Sequence, residues 1–194
     1  MFQDTQTLLN SLKEYKSPKA KLSQMIEKGS ICHLKRGLYE TNINSPSCAM
    51  AGAIYGPSYL SFEYALRRWE LITDRICVYT SASYEKNKTK TFENQMGTYI
   101  YKSIPKEAYP YAITSITEKE YTYQIATPEK ALCDTLYKAP PLKTVWELNK
   151  YLEDEYRVDM EKLYKLNMQD IRFLAPLYKR HNLILLIKLI ENHK

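Results

Sequence analysis

The sequence predicts an α+β protein. A small N-terminal helix–helix–hairpin unit precedes a mixed α/β domain with a largely antiparallel sheet and a helical C-terminal segment. Three observations carry this. Apolar residues recur at helical spacing before Gly29, the period shifts to that of strands between Arg75 and Ile125, and it returns to helical spacing from Thr127 onward. The 194 residues fit one large domain or a small domain joined to a larger one, with 44% hydrophobic and 26% charged residues, ordinary for a globular chain.

Asp4–Glu14 reads as a first helix, with Leu8, Leu9 and Leu12 on one side and Asp4 or Thr5 as cap. Ser17-Pro18 opens a second, through Lys28, in which Ala20, Leu22, Met25 and Ile26 face a core and Lys19, Lys21, Gln24 and Lys28 lie outside. Gly29 stops that helix, since a helix C-terminus favours a residue tolerant of positive φ. Ile31–Thr41 then reads as two short strands around the basic turn Lys35-Arg36-Gly37. A helix followed by a hairpin with cations at its tip is the pattern of a winged helix. An ordinary hairpin with a solvated basic turn fits the same residues.

Charge is uneven. The net charge is +6, and between Leu12 and Arg36 seven cations face two anions, so that stretch carries +5 and the rest +1. This is the footprint expected of a nucleic-acid contact, with solvated helix lysines as the alternative.

Asn42–Ser45 reads as a linker, which divides the chain into a winged-helix-like unit, 1–44, and a second domain, 45–194, with an α+β core to 139 and a helical part from 140. Ser45-Pro46 starts a helix of small residues that Gly56-Pro57 ends. Ser58–Ile72 reads as a helix whose core stripe is Phe62, Ala65, Leu66, Trp69 and Ile72. Ile76–Ser81, Thr89–Glu93, Thr98–Lys102, Ile113–Thr117 and Tyr121–Ile125 read as strands, the last four as two hairpins. Tyr99 and Tyr101 share one sheet face, as do Tyr121 and Tyr123. Thr127-Pro128-Glu129 caps a helix to about Lys138. Helices are expected over Thr144–Tyr156, Met160–Leu166 and Gln169–Asn192, the last interrupted at Pro176.

Chemistry-bearing patterns are sparse. There is no G-x-S-x-G, P-loop or H-E-x-x-H. The three histidines and four dispersed cysteines, with no C-x-x-C, suggest free buried thiols and neither a metal site nor a cofactor. No signal peptide or membrane span is expected, and the cytoplasm is the expected compartment.

Three blocks in order resemble the AbiEi-type antitoxins of bacterial type IV toxin–antitoxin and abortive phage-infection systems. They are Gly29-x-Ile31-x-x-Leu34-Lys35-Arg36-Gly37-Leu38-Tyr39, Pro57-Ser58-Tyr59-Leu60-Ser61-Phe62-Glu63-x-Ala65-Leu66 and Ala126-Thr127-Pro128-Glu129-Lys130-Ala131-Leu132-x-Asp134. The resemblance implies a non-enzymatic antitoxin whose winged helix binds repeats in its own promoter and represses transcription. It also implies a C-terminal domain that counteracts a nucleotidyltransferase-like toxin without a stable complex. The expected DNA-binding residues are Lys19, Lys21, Gln24, Lys28, His33, Lys35 and Arg36. The matched Glu63, Glu129, Lys130 and Asp134, together with Arg67, form a candidate antitoxin surface, with capping and ion pairing as the alternative explanation. Only about 28 residues precede Gly29, room for two helices where a full winged helix has three, so an antitoxin or interaction module that has lost DNA binding is the alternative function.

Overall fold

The computed structural model describes residues 1–74, 77–86 and 88–193. It is an α+β structure built on two sheets. The N-terminal unit runs β1 (Phe2–Asp4), α1 (Thr5–Ser11), α2 (Pro18–Glu27), β2 (Cys32–Lys35) and β3 (Leu38–Glu40), with antiparallel sheet order β1-β3-β2. Its core is Leu8, Leu12, Leu22, Ile31 and Tyr39. The first helix is shorter than expected at its far end, stopping at Ser11, three residues before the expected Glu14; Phe2 to Asp4 pair with Leu38 to Glu40 before it starts. Asp4 is its cap, accepting the Thr7 amide at 2.7 Å.

A 3-10 turn (Ser47–Ala49) and α3 (Met50–Ile54) lead to β4 (Ser58–Leu60) and α4 (Phe62–Arg68). Then come β5 (Val78–Ser83), β6 (Lys90–Asn94), β7 (Gly97–Ser103), β8 (Ile113–Glu118) and β9 (Tyr121–Ala126). Of the first expected strand, Ile76 lies outside the described residues, as does Arg75. The second sheet is mixed, in the order β6-β7-β5-β4-β9-β8. β4–β9 and β5–β7 are parallel and the other three neighbouring pairs antiparallel. The stretch Ser58–Leu60, expected to open a helix, is instead a fully buried central strand. The helix starts four residues later, after Phe62 turns the backbone at φ +55°.

The helices α5 (Pro128–Lys138), α6 (Val145–Asp154), α7 (Met160–Tyr164), α8 (Met168–Tyr178) and α9 (His181–Glu191) complete the fold. Thr127 caps α5 as expected, accepting the Lys130 amide at 3.4 Å. The break expected at Pro176 falls instead at Lys179, at φ +51°, and Pro176 is carried inside α8. Three cysteines are buried free thiols, whereas Cys77 is exposed, contrary to expectation. No helix among the described residues is long and apolar enough to cross a membrane.

The two units are fastened together. Asn94 donates to the Leu34 carbonyl at 3.1 Å, Tyr121 donates to the buried Glu40 carboxylate at 3.0 Å, and Lys35 donates to the Ile54 carbonyl at the end of α3.

Tyrosine, 18 residues against four phenylalanines, fills much of this core. Tyr99 donates to the Ser47 carbonyl at 2.9 Å and Tyr101 to that of Ala51 at 2.7 Å. Burial pushes both phenols well above their ordinary value, and Tyr109 up to about 12. A phenol whose folded-state pKa exceeds its unfolded value keeps its full stabilising effect below the ordinary 10.0 and loses it as the pH rises past that point. Phenolate absorbance at 295 nm against pH should therefore show an early phase from exposed tyrosines. A later, cooperative phase should coincide with loss of the circular dichroism signal.

Candidate nucleic-acid interface

The N-terminal unit builds one open helical face. Leu22 anchors α2 in the small core, with Met25 and Ile26 half-buried beside it. Gly29, at φ +70°, closes the helix, and the Gly29 and Ser30 amides reach back to the Ile26 and Met25 carbonyls at 2.9 Å each. What remains outside is Lys19, Ala20, Ser23, Gln24 and Glu27, which share one face at helical spacing. Ala20 thus faces out, not into the core as expected: with Leu22 inward, a position two residues earlier is rotated away.

This face forms the wall of a wide, shallow groove of about 770 Å³ that Tyr15, Lys16 and Lys21 also line. Small side chains at Ala20 and Ser23 let another surface come close to the backbone. Cations flank that gap. Lys21 is half-buried, with its ammonium 4.8 Å from the centre of the Tyr15 ring. Lys16 and Ser23 join the expected Lys21 and Gln24 here, whereas Lys19 is exposed on the helix beside the groove. Their place on the groove depends on how the α1–α2 turn folds, which residue spacing alone does not encode.

Lys28 is exposed at the C-terminal end of α2, away from the middle of that face. On the hairpin, Gly37 takes φ +81°, the conformation a tight turn needs there. His33 is exposed with its ring 5.0 Å from that of Tyr39, and Arg36 is exposed at the tip. Lys35 does not join them. It is half-buried and its ammonium is held by the Ile54 carbonyl at 2.5 Å, so it fastens the hairpin to the second unit.

The candidate antitoxin surface needs correction. Lys130 and Asp134 are fully buried. They lie one turn apart on α5, at 3.3 Å. Lys130 also donates to the Ala108 carbonyl at 2.6 Å and the Tyr178 hydroxyl at 2.5 Å. Asp134 accepts from Ser61 at 2.6 Å, Tyr59 at 3.1 Å and Tyr178 at 2.5 Å. Burial, opposed by the Asp134 charge, holds the Lys130 pKa below its ordinary value, while burial followed by that same charge pushes Tyr59 and Tyr178 well up. Every partner is internal, so the group has no free valence for a ligand. Glu129 is also buried and accepts the Asn167 amide at 3.0 Å, positioning the start of α8. Glu63 is half-buried against Lys102 at 3.0 Å. Arg67 alone of the five is exposed, in a shallow cleft with Tyr64, Arg68 and Glu70. Among the described residues no group of three or more His, Cys, Asp or Glu could hold a metal ion.

Compared with known families and characterised proteins, the chain matches no family model and no characterised protein.

The buried pair makes a sharp prediction. Asp134→Ala leaves an ammonium buried without its counter-charge and should cost about 3–5 kcal/mol in urea unfolding. Adding Lys130→Met removes that stranded charge. The double variant should be more stable than Asp134→Ala alone.

Proposed function

We propose that the chain is a cytoplasmic antitoxin of a bacterial type IV toxin–antitoxin system. In this reading it binds its own promoter DNA as a repressor and counteracts a nucleotidyltransferase-like toxin. The observation that carries the DNA-binding half is the outward face of α2: small residues at its middle, Lys16, Lys19 and Gln24 around them, all exposed among the described residues. Strand, helix, helix and hairpin, in sheet order β1-β3-β2, resemble the winged-helix plan from its first strand onward, which supports this reading. Contacts from β2 and β3 to the second unit hold the hairpin in place. The antitoxin half rests on the resemblance of the three blocks.

In this arrangement α2 enters the major groove, where Gln24 can reach base edges, while lysines and Arg36 hold phosphates. Arg36 offers a phosphate two parallel hydrogen bonds.

Gel shifts with the upstream promoter fragment over a series of salt concentrations test this. With three to five phosphate contacts, log affinity against log salt should have a slope of about −3 to −5. Arg36→Ala should weaken binding to all sequences alike and flatten the slope by about one unit. Lys35→Ala should leave the slope unchanged, because that ammonium is already spent on Ile54. No binding, or binding indifferent to salt, would overturn the DNA-binding half. Rescue from the toxin persisting in that case would favour an interaction module.

A further inference from the structure

The last turn of α5, the α8–α9 junction and strand β7 bring three cations to one place. Lys138 has its ammonium 5.0 Å from the centre of the Tyr137 ring, and the Arg180 guanidinium lies 5.2 Å from the same ring. Lys102 stands nearby, bonded to Glu63 and 4.9 Å above the Phe62 ring. Glu63 answers Lys102, and Asp134 beneath is committed to Lys130. Among the described residues neither Lys138 nor Arg180 has a carboxylate partner, so two positive charges stand uncompensated beside one aromatic ring. Their repulsion is felt: burial first, then the charges of Lys102 and Arg180, holds the Lys138 pKa below the ordinary lysine value. Phe62, at the floor of the cluster, is a buried bulky residue at φ +55°, a strain of the kind that collects at functional sites.

Arg180 also belongs to a second feature. Together with Lys179 and His181 it lines a groove of about 330 Å³ between α8 and α9, whose remaining walls are Ala175, Pro176, Ile184 and Ile187. A charged end and an apolar trough therefore meet at one guanidinium.

We propose that Lys138 and Arg180, gathered around Tyr137, bind the phosphate of a 5′-phosphomonoester whose nucleoside lies in the adjoining groove. A phosphate dianion matches the two uncompensated cations. Arginine contributes a planar fork of parallel donors, and Lys138 acts as a point charge beside it. The apolar walls suit a planar base better than a second charged group. A free nucleotide and the 5′ end of a nucleic acid share this chemistry. The site is remote in sequence from α2 and stands whether or not α2 binds DNA.

Isothermal titration of the full chain tests this with AMP, adenosine, inorganic phosphate, and an RNA hexamer with and without its 5′-phosphate. AMP and phosphate should bind, adenosine should not, and AMP should bind more tightly than phosphate. Lys138→Met and Arg180→Met, both at exposed positions, should each weaken AMP by about tenfold, the loss of one charge-assisted contact. Lys165→Met, an exposed lysine at the end of α7, should leave AMP binding unchanged. In nitrogen-15 titrations the Lys138 pKa should rise when phosphate is present. A 5′-phosphorylated hexamer binding more tightly than AMP assigns the site to a nucleic-acid end, and equal affinity assigns it to the free nucleotide. Absence of saturable AMP and phosphate binding, or binding undiminished in both variants, would overturn the proposal.

Discussion

The second unit is arranged around a charge pair with no access to water. Lys130 and Asp134 stand on α5, whose middle is buried on every side, from Glu129 through Leu136. Removing two charges from water is costly unless each finds several good partners. The partners come from β4, the segment before β8, and α8, so satisfying the pair fixes where those elements lie relative to α5. Apolar packing tolerates small slides; a carboxylate with three hydroxyl donors does not.

That constraint accounts for the composition. A core of phenylalanine would have packed as well and left Asp134 without donors. Tyr59 and Tyr178 bring rings that fill the core and hydroxyls that meet the charge. Tyr99 and Tyr101 do the same for carbonyls of the 3-10 turn and α3, each of which accepts a phenol beside its backbone hydrogen bond.

Elements announced by local chemistry were legible from sequence. Thr127-Pro128 marked α5, and Tyr99 and Tyr101 showed a strand face that is indeed buried. Elements defined by distant partners were not. Ser58–Leu60 is three residues long and carries no period of its own; only β5 and β9 on either side make it a strand. Phe2–Asp4 is a strand because Leu38–Glu40 arrives to pair with it. The chain bends at Lys179 and not at Pro176, because proline near the end of a helix forfeits one bond, whereas a left-handed residue ends the ladder. In the candidate interface, the lysines of α2 could be placed by spacing. Lys35 could not, since its direction depends on a carbonyl 19 residues away. The Lys102–Lys138–Arg180 cluster was equally invisible, assembled from three elements with no shared motif.

The seam between the units bears on synthesis. Leu34 meets Asn94 across 60 residues, and Glu40 meets Tyr121 across 81. A ribosome delivers the N-terminal hairpin long before it delivers these partners. Its buried carboxylate and the open edge of β2 must wait, half-finished, until the central strands emerge. The part of the chain made first is therefore consolidated late, and a nascent chain stalled before Asn94 would expose a strand edge that the completed protein keeps covered.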